Sequence, residues 1–288
     1  MHNRLGCSTI SFRHRPLAEA LEIIKRLGFN EIDLGALPGV CTHVGVPLNS
    51  FASSEIANLV KASGMRVRTI NLDLGPLNDP KYSNEYFKEL FKPLISLAIE
   101  IGAESFMLPC GAQNHTPFVS EHDDLQTLAN RLIELSKLLP PNIELMIEAP
   151  HVKRFCNSAS MASKLLDKVD FDRASLVLDT SHVYAGGDSI EDWIANQILR
   201  INHVQFRDAK RNGEINFSLG NGEIDFGSCV ASLESKGYLG SYTLELETHD
   251  LDEDLREEET KRAGELISSF ISKYEVHNST KADRKQNV

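Results

Sequence analysis

The feature that most constrains this chain is a strict alternation of short apolar segments with longer amphipathic ones, repeated eight times. The short segments have the length and apolar content of buried strands, and the longer ones carry apolar residues at helical spacing. The predicted strands are residues 5–10, 31–34, 67–72, 105–108, 143–147, 175–178, 203–206 and 242–246. The predicted helices are residues 17–27, 54–62, 85–101, 123–138, 160–169, 190–197, 227–236 and 255–273.

Glycines support these boundaries. Gly28, Gly64, Gly102 and Gly237 each stand between a predicted helix and the strand that follows it. Glycine favours a helix end there because it readily adopts the left-handed backbone that terminates many helices. Strands that alternate with helices pair in parallel through right-handed crossovers, so the pattern predicts a parallel α/β sheet.

Eight repeats in 288 residues favour a single (β/α)8 TIM barrel. The length alone would also fit two small domains, but no linker separates the repeats. An open doubly wound sheet is less favoured, since no Gly-rich phosphate fingerprint follows the first strand. We therefore expect one barrel domain over residues 1–276. Residues 277–288 are polar and aperiodic, and we expect a disordered tail there.

Composition excludes several classes of protein. The net charge of −11 argues against a nucleic-acid or anionic-membrane partner, because such binders need a basic face. No segment resembles a signal peptide or a membrane span, so a cytoplasmic location is expected. Five scattered cysteines without a C-x-x-C pair predict reduced thiols and no structural zinc site: Cys7, Cys41, Cys110, Cys156 and Cys229.

Oxygen-bearing side chains end four consecutive strands, the fifth to the eighth. They are Glu148, Asp179, Gln205 and Glu245. In a barrel, the carboxyl ends of all strands meet at one rim, where the chemistry takes place. Three carboxylates and an amide oxygen at one rim would form a hard-oxygen cage for a divalent cation. Without a cation, the carboxylates would repel one another and stay partly protonated.

Each of these residues also has an ordinary structural interpretation. A glutamate that ends a strand is often a solvated rim residue, and Asp179 could cap a helix that carries a surface His182. Gln205 could be an ordinary hydrogen-bonded polar residue. Glu247 alternates with Glu245, so one of the two could face solvent. The register of four such residues on consecutive strands is what favours a site.

The segment 201–226 forms one wall of this predicted site. Polar residues alternate with apolar ones at His203, Gln205 and Arg207, which is the period of a strand with one polar face. The Gly-rich turn Gly220-Asn221-Gly222 follows and precedes a predicted helix.

The four strand-end residues, a histidine three positions after Asp179, and the segment LGNGEIDF at 219–226 resemble the xylose isomerase-like barrels. That family includes sugar phosphate isomerases, ketose 3-epimerases, hydroxypyruvate isomerases and sugar-acid dehydratases. The resemblance covers nearly the whole chain. It implies a TIM barrel and, because the fold hosts several chemistries, a range of activities.

The resemblance also implies roles for individual residues. Glu148, Asp179, Gln205 and Glu245 match the family's metal ligands. Glu148 and Glu245 would transfer protons on opposite faces of the substrate, and His182 would hydrogen-bond a substrate oxygen. Arg211 stands where epimerases hold a substrate-binding arginine. Arg207 and His151 are further substrate-binding candidates.

Gln205 is the one departure from the common pattern, because most members of the family have a histidine there. Loss of this nitrogen ligand favours Mn2+, with Mg2+ or Co2+ as alternatives, over zinc. A DNA-repair branch of the family binds three zinc ions with an Asp-x-His sequence after strand seven. The segment between Asp208 and Gly220 lacks that sequence.

The resemblance therefore implies a metal-dependent isomerase or epimerase that acts on a sugar or keto-sugar through an enediolate. A metal-dependent lyase or dehydratase is the alternative, with His151 or His115 as the general acid. A barrel that only binds a metabolite is a third interpretation. The expected partner is a small sugar or sugar acid, and a homodimer or homotetramer is expected. Trp193 would offer apolar area to such an interface, or would pack against the barrel.

Overall fold

The computed structural model describes residues 1–170 and 172–285. Within these residues, eight parallel strands close into a barrel in the order β1-β10-β7-β6-β5-β4-β3-β2. The barrel strands are β1 (Leu5–Ser8), β2 (Glu31–Ala36), β3 (Arg66–Leu72), β4 (Ser105–Pro109), β5 (Glu144–Glu148), β6 (Ser175–Asp179), β7 (Ile201–Phe206) and β10 (Ser241–Leu244). A short antiparallel hairpin follows β7 and consists of β8 (Asp208–Ala209) and β9 (Ile215–Phe217). The prediction of a single (β/α)8 barrel is confirmed.

Helices surround the barrel and connect its strands. They are α1 (Leu17–Arg26), α2 (Ser50–Ser63), α3 (Asn84–Ile101), α4 (Glu121–Ser136), α5 (Ala159–Leu166), α6 (Thr180–Ala185), α7 (Ile190–Gln197), α8 (Phe226–Ser235) and α9 (Arg256–Lys285). The predicted first strand, residues 5–10, was too long, because residues Thr9–Phe12 form a 3-10 helix. The sequence pattern also missed α6, which has only six residues.

The helix ends follow from local sequence. Asn49 and Ser83 accept hydrogen bonds from backbone N–H groups in the first turns of α2 and α3. Such caps satisfy donors that lack a partner inside the helix. Gly64 and Gly102 end the same two helices with left-handed backbone, each with φ of 67°. The predicted glycine stops are confirmed there.

The main hydrophobic core lies between the barrel wall and the helices, where outward-facing strand residues pack against apolar helix faces. Trp193 of α7 is part of this core and is 3% exposed, so it packs against the barrel and offers no surface area. Inside the barrel, Met107, Met146 and Val177 form a separate small apolar cluster on β4, β5 and β6. Most of the remaining interior is polar, which is unusual for a barrel whose centre is commonly filled by branched apolar residues.

An arginine lies at the amino end of the barrel. Arg68 of β3 is buried, donates to the carbonyl oxygen of Asn202 at 3.2 Å, and pairs with Glu104 at 3.4 Å and Glu144 at 3.8 Å. Polar groups at this end of a barrel usually serve stability, since catalytic residues gather at the opposite rim.

The carboxyl-terminal segment is helical further than periodicity predicted, since α9 continues to Lys285. Residues 286–288 of the predicted tail lie outside the described residues, and the disorder expected for 277–288 stays a prediction. Among the described residues, no helix is both long enough and apolar enough to cross a membrane. All five cysteines are buried free thiols.

Candidate active site

The four residues predicted as metal ligands meet at the carboxyl rim of the barrel. Glu148, Asp179 and Gln205 end or nearly end β5, β6 and β7, and Glu245 directly follows β10. These strands are neighbours in the closed sheet, which brings their ends together. One oxygen from each of Glu148, Asp179 and Glu245 lies within 4.8 Å of the other two. We call these three residues the carboxylate cluster.

The two carboxylate oxygens of Asp179 have different partners. Its Oδ1 accepts hydrogen bonds from the backbone N–H and hydroxyl of Ser181 at 2.7 and 2.6 Å, and from the N–H of His182. It is therefore the N-cap of α6, as the structural interpretation of the sequence allowed. Its Oδ2 faces the cluster and accepts from Arg207 Nη2 at 2.5 Å. Capping and membership of the site are compatible because each uses a different oxygen.

Glu245 is buried against amide groups of two other strands. Its Oε1 accepts hydrogen bonds from Asn71 Nδ2 at 2.8 Å and from Gln205 Nε2 at 3.0 Å. Its Oε2 lies 2.8 Å from Arg207 Nη2. These contacts fix the carboxyl group at the centre of the rim. Glu247 also faces the site, since its Oε2 lies 3.2 Å from Arg207 Nη1.

The Gln205 side chain is fully buried and oriented by its own hydrogen bonds. Its Nε2 group donates to Glu245 Oε1 and, at 3.4 Å, to Asp33 Oδ2 of β2. Asp33 also pairs with His203 Nε2 at 2.8 Å. The Oε1 atom of Gln205 has no hydrogen-bond partner among the described residues. A buried acceptor without a donor is a costly arrangement, and a bound cation would relieve it.

Two histidines stack beside the cluster. The rings of His151 and His182 lie 3.5 Å apart between centroids, with an interplanar angle of 27°. His182 is buried and not at the surface, and its Nε2 is 3.4 Å from Glu148 Oε1. Burial, followed by the charges of His182, Arg154 and Arg207, lowers the pKa of His151 well below its usual value. His151 is therefore neutral at neutral pH, which suits a hydrogen-bonding role.

Arg207 is the cation of the site. It directly follows β7, is 4% exposed, and donates to Asp179 Oδ2 through both Nε and Nη2. Its Nη2 lies 3.8 Å from Glu148 Oε1 and 3.0 Å from His182 Nε2. Burial alone would lower the pKa of Arg207, but the surrounding carboxylates outweigh burial and raise it. Arg207 is thus permanently charged.

The charges at the rim do not balance. Glu148, Asp179, Glu245 and Glu247 bring four carboxylates against the single guanidinium of Arg207. Burial raises the pKa of Asp179, but Arg207 and His182 outweigh it and lower that pKa to about 2. Burial, together with the neighbouring carboxylates, raises the pKa of Glu245 well above its usual value. Because four carboxyl groups converge on one guanidinium, the cluster needs either a proton or a further cation, and its oxygen donors fit a divalent cation.

A cavity of ≈ 230 Å³ opens above the cluster. The loops that follow β2, β3, β4 and β5 contribute to its lining. Lining residues from these loops include Leu37, Asp73, Gln113 and Arg154. Arg154 is paired with Asp73 at 2.6 Å, so its charge is already compensated. The volume is suited to a small, polar metabolite.

Arg211 does not join the cluster. It lies at the surface of the hairpin loop, donates to the carbonyl oxygen of Gly187 at 2.8 Å, and stacks over the ring of Tyr184. Its substrate-binding role stays a prediction. His115, the alternative general acid of the dehydratase interpretation, binds the backbone oxygen of Val152, and His43 binds that of Arg15.

The Gly-rich segment 219–226 surrounds a buried carboxylate and not the cluster. Asp208 accepts hydrogen bonds from the backbone N–H groups of Gly220 at 2.7 Å, Gly222 at 3.1 Å and Ile224 at 3.2 Å. A Cβ atom at Gly222 would lie 2.2 Å from Asp208 Oδ1, so only glycine fits there. This loop therefore supports the rim beside Arg207.

Sequence reasoning missed Asn71, Asp33 and the central position of Arg207. Asn71 lies near the end of β3 and follows the same strand-end rule that identified Glu148. Asp33 lies within the short apolar segment of β2, where alternation with apolar neighbours was the available signal. Arg207 was expected to bind substrate, but no sequence pattern places a guanidinium between three carboxylates.

A family model described as xylose isomerase-like TIM barrel matches residues 21–270 of the chain. The chain belongs to this family. The match begins within α1, after the first strand of the barrel, and ends within α9.

Individual relatives add detail. An inosose isomerase from Halalkalibacterium halodurans is 26% identical over 179 residues, which is 57% of this chain and 63% of that protein. A structure of the IolI protein with a bound zinc atom has a TM-score of 0.76 at 18% identity, covering 94% of this chain and 99% of that one. A probable 3-DHS dehydratase, AsbF from Bacillus anthracis, has a TM-score of 0.69 at 17% identity, covering 93% and 98%. These structural similarities show the shared barrel fold.

Proposed function

We propose that the protein is a divalent-metal-dependent isomerase or epimerase of a sugar or keto-sugar, acting through an enediolate. The observation that carries the proposal is the carboxylate cluster at the rim of a small polar cavity. Membership of the xylose isomerase-like family and similarity to an inosose isomerase support it.

Glu148, Asp179 and Glu245, with the unpartnered Oε1 of Gln205, would hold the metal ion. When bound, such an ion withdraws electron density from a carbonyl group and stabilises negative charge on an adjacent oxygen. Mn2+ is our choice, with Mg2+ or Co2+ as alternatives, because all four donors are oxygen atoms. Zinc in the IolI structure keeps zinc among the ions to be tested.

Glu148 and Glu245 would move the proton. Glu148 ends β5 and Glu245 follows β10, and β6 and β7 lie between these strands in the sheet, so the two carboxyl groups can approach the substrate from different sides. One would take a proton from the carbon next to the carbonyl group, and the other would return a proton to the opposite face.

His182, His151 and Arg207 would bind and orient the substrate. All three line the cavity, and the stacked rings fix each other's orientation. A neutral His151 can donate to or accept from a hydroxyl group, while Arg207 would stabilise negative charge that develops on a substrate oxygen. Arg211 would need to leave Gly187 to reach the cavity.

A dehydratase is the second candidate, favoured by the likeness to the AsbF structure. Elimination starts with the same proton removal, but it expels a hydroxyl group and needs no acid on the opposite face of the substrate. His151 is the candidate acid, and because its lowered pKa leaves it neutral, it would first have to take up a proton; its Nε2 lies 4.0 Å from Glu148 Oε2. His115 bonds to Val152 at the cavity's outer side and is less well placed.

Proton NMR in D2O distinguishes the two reactions. Protein loaded with Mn2+ is incubated with a panel of ketoses, inososes and dehydroshikimate, and the metal is removed before spectra are recorded. We expect a product of unchanged composition that carries deuterium on the carbon that changes configuration. A product that lacks the elements of water and has a new double bond contradicts the isomerase proposal. A cytoplasmic location and a homodimer or homotetramer stay predictions.

A further inference from the structure

The guanidinium of Arg207 occupies the point at which the carboxylate cluster converges. Its Nη2 lies 2.5 Å from Asp179 Oδ2 and 2.8 Å from Glu245 Oε2. The third carboxylate, Glu148, places Oε1 3.8 Å from the same nitrogen. One nitrogen thus faces all three members of the cluster from a single position.

A metal ion held by these carboxylates and Arg207 Nη2 cannot share that position. Carboxylate ligands approach divalent ions at about 2.0–2.6 Å, so an ion bound by all three would lie in the space that the nitrogen fills. Two positive charges at such a separation would also repel strongly in a buried site. Binding of the ion by the whole cluster therefore requires Nη2 to move away.

The structure offers the guanidinium a second set of partners. Its Nη1 donates to Asn216 Oδ1 at 3.2 Å and to Glu247 Oε2 at 3.2 Å. Asn216 belongs to β9, in the hairpin that follows Arg207, and Glu247 lines the cavity. These acceptors lie outside the cluster, so Arg207 can keep its charge compensated after it leaves Asp179 and Glu245.

Gln205 indicates that the guanidinium is not the final occupant. Its Oε1 is buried and accepts no hydrogen bond, so the guanidinium in its present position does not satisfy it. One positive charge also leaves the four surrounding carboxylates under-compensated. A divalent ion in place of the guanidinium would give Gln205 Oε1 a partner and would compensate more of the carboxylate charge.

We propose that Arg207 is a displaceable internal cation, which fills the carboxylate cluster until a divalent ion replaces it and then turns towards Glu247 and the cavity. The inference rests on the metal site of the proposed function. Metal affinity is set by competition with Arg207, and metal loading releases the guanidinium to face the substrate. Arg207 is thereby a positioning residue that couples the two binding events.

Titration of metal-stripped protein with Mn2+, followed by electron paramagnetic resonance of the free ion, tests the competition. Arg207→Met should bind Mn2+ more tightly than the wild type, by roughly tenfold or more, since a buried competing charge is removed. Arg154→Met is the matched control, because Arg154 is buried in the same cavity wall but pairs with Asp73. We expect its affinity to stay within about threefold of the wild type, because its charge does not contact the cluster.

Unchanged or weaker binding by Arg207→Met overturns the proposal. Equal tightening in Arg154→Met overturns it too, because the effect would then reflect the general charge of the cavity. Binding by neither wild type nor Arg207→Met overturns both the inference and the proposed function. Binding by Arg207→Met alone supports occupancy by Arg207 but contradicts a metal-dependent reaction in the wild type.

A second readout does not depend on the methionine variant folding. In protein labelled with 15N-arginine, the Arg207 side-chain signals are assigned by their absence from Arg207→Lys. Addition of diamagnetic Mg2+ or Zn2+ should shift these signals and leave those of Arg154 in place. Arg207 signals that do not change at saturating metal contradict displacement. Displacement without conversion of any substrate in the panel leaves the inference intact and removes the proposed reaction.

Discussion

Two buried arginines, one at each end of the barrel, have opposite surroundings. At the amino end, Arg68 pairs with Glu104 and Glu144, whose side chains are 40% and 31% exposed. At the carboxyl end, Arg207 faces four carboxylates that are between 0% and 18% exposed. Water can compensate the acidic groups near Arg68, but it has little access to those near Arg207.

The difference separates a structural ion pair from a site prepared for chemistry. Partly exposed pairs contribute modestly to stability and need no further ligand. Buried carboxylates in excess destabilise the fold unless a proton or a cation joins them. Strongly perturbed carboxyl groups in a cavity are typical of functional sites, and Asp179 and Glu245 are two such groups at the carboxyl end.

The largest expected effect comes from the proton-transferring groups. Glu245→Gln keeps an oxygen at the cluster but removes the group that carries the proton. We expect turnover to fall by roughly 10²–10⁴-fold, the usual cost of losing a general acid or base. Glu144→Gln, at the opposite end of the barrel, should leave turnover unchanged. Steady-state kinetics on the substrate identified by NMR measures both, and equal losses would show that the comparison of the two ends is wrong.

Removal of metal should lower the stability of the protein through the site at the carboxyl end of the barrel alone. With Mn2+ at a hundred times its dissociation constant, the folded state gains about 2.7 kcal/mol, which EDTA should abolish. Differential scanning fluorimetry with and without EDTA measures the change. Glu148→Gln should reduce the metal-dependent shift, because it removes one of three anionic ligands, while Glu144→Gln should preserve it. An identical melting curve with EDTA, and no metal by elemental analysis, would refute the metal site.

The smallest expected effect concerns Arg68. Arg68→Met removes the hydrogen bond to Asn202 and the pairs with Glu104 and Glu144. We expect a loss of about 1–2 kcal/mol in unfolding free energy, since the two carboxylates that lose their partner can be hydrated. Urea denaturation measures it. Mn2+ affinity and turnover per folded molecule should not change; a fall in either would connect the amino end to the site.

The fold was predictable because it depends on local and repetitive signals. Apolar periodicity and glycine stops such as Gly64 and Gly102 located the strands and most helices. The positions of Glu148, Asp179 and Glu245 followed from one rule, that parallel strands bring their carboxyl ends together. Helix α6 was missed because six residues are too few to show a period.

The arrangement around Arg207 could not be predicted, because it depends on side-chain directions across four strands. Alternation places Arg207 on the polar face of its strand, but its contact with Glu148 is set by barrel closure. The same holds for Asn71, which reaches Glu245 from β3 on the other side of the barrel. Arg211 is the opposite case. The family resemblance implied that it binds substrate, but its side chain lies at the surface against the ring of Tyr184.

The double role of Asp179 has a consequence for binding entropy. Three hydrogen bonds from the first turn of α6 immobilise its carboxyl group through Oδ1. The rotational freedom of this side chain is therefore lost when the protein folds, and not when a cation arrives at Oδ2. Ordering a side chain on binding costs about 0.5–1.5 kcal/mol, so a cation binds correspondingly more tightly to a carboxylate that is already ordered.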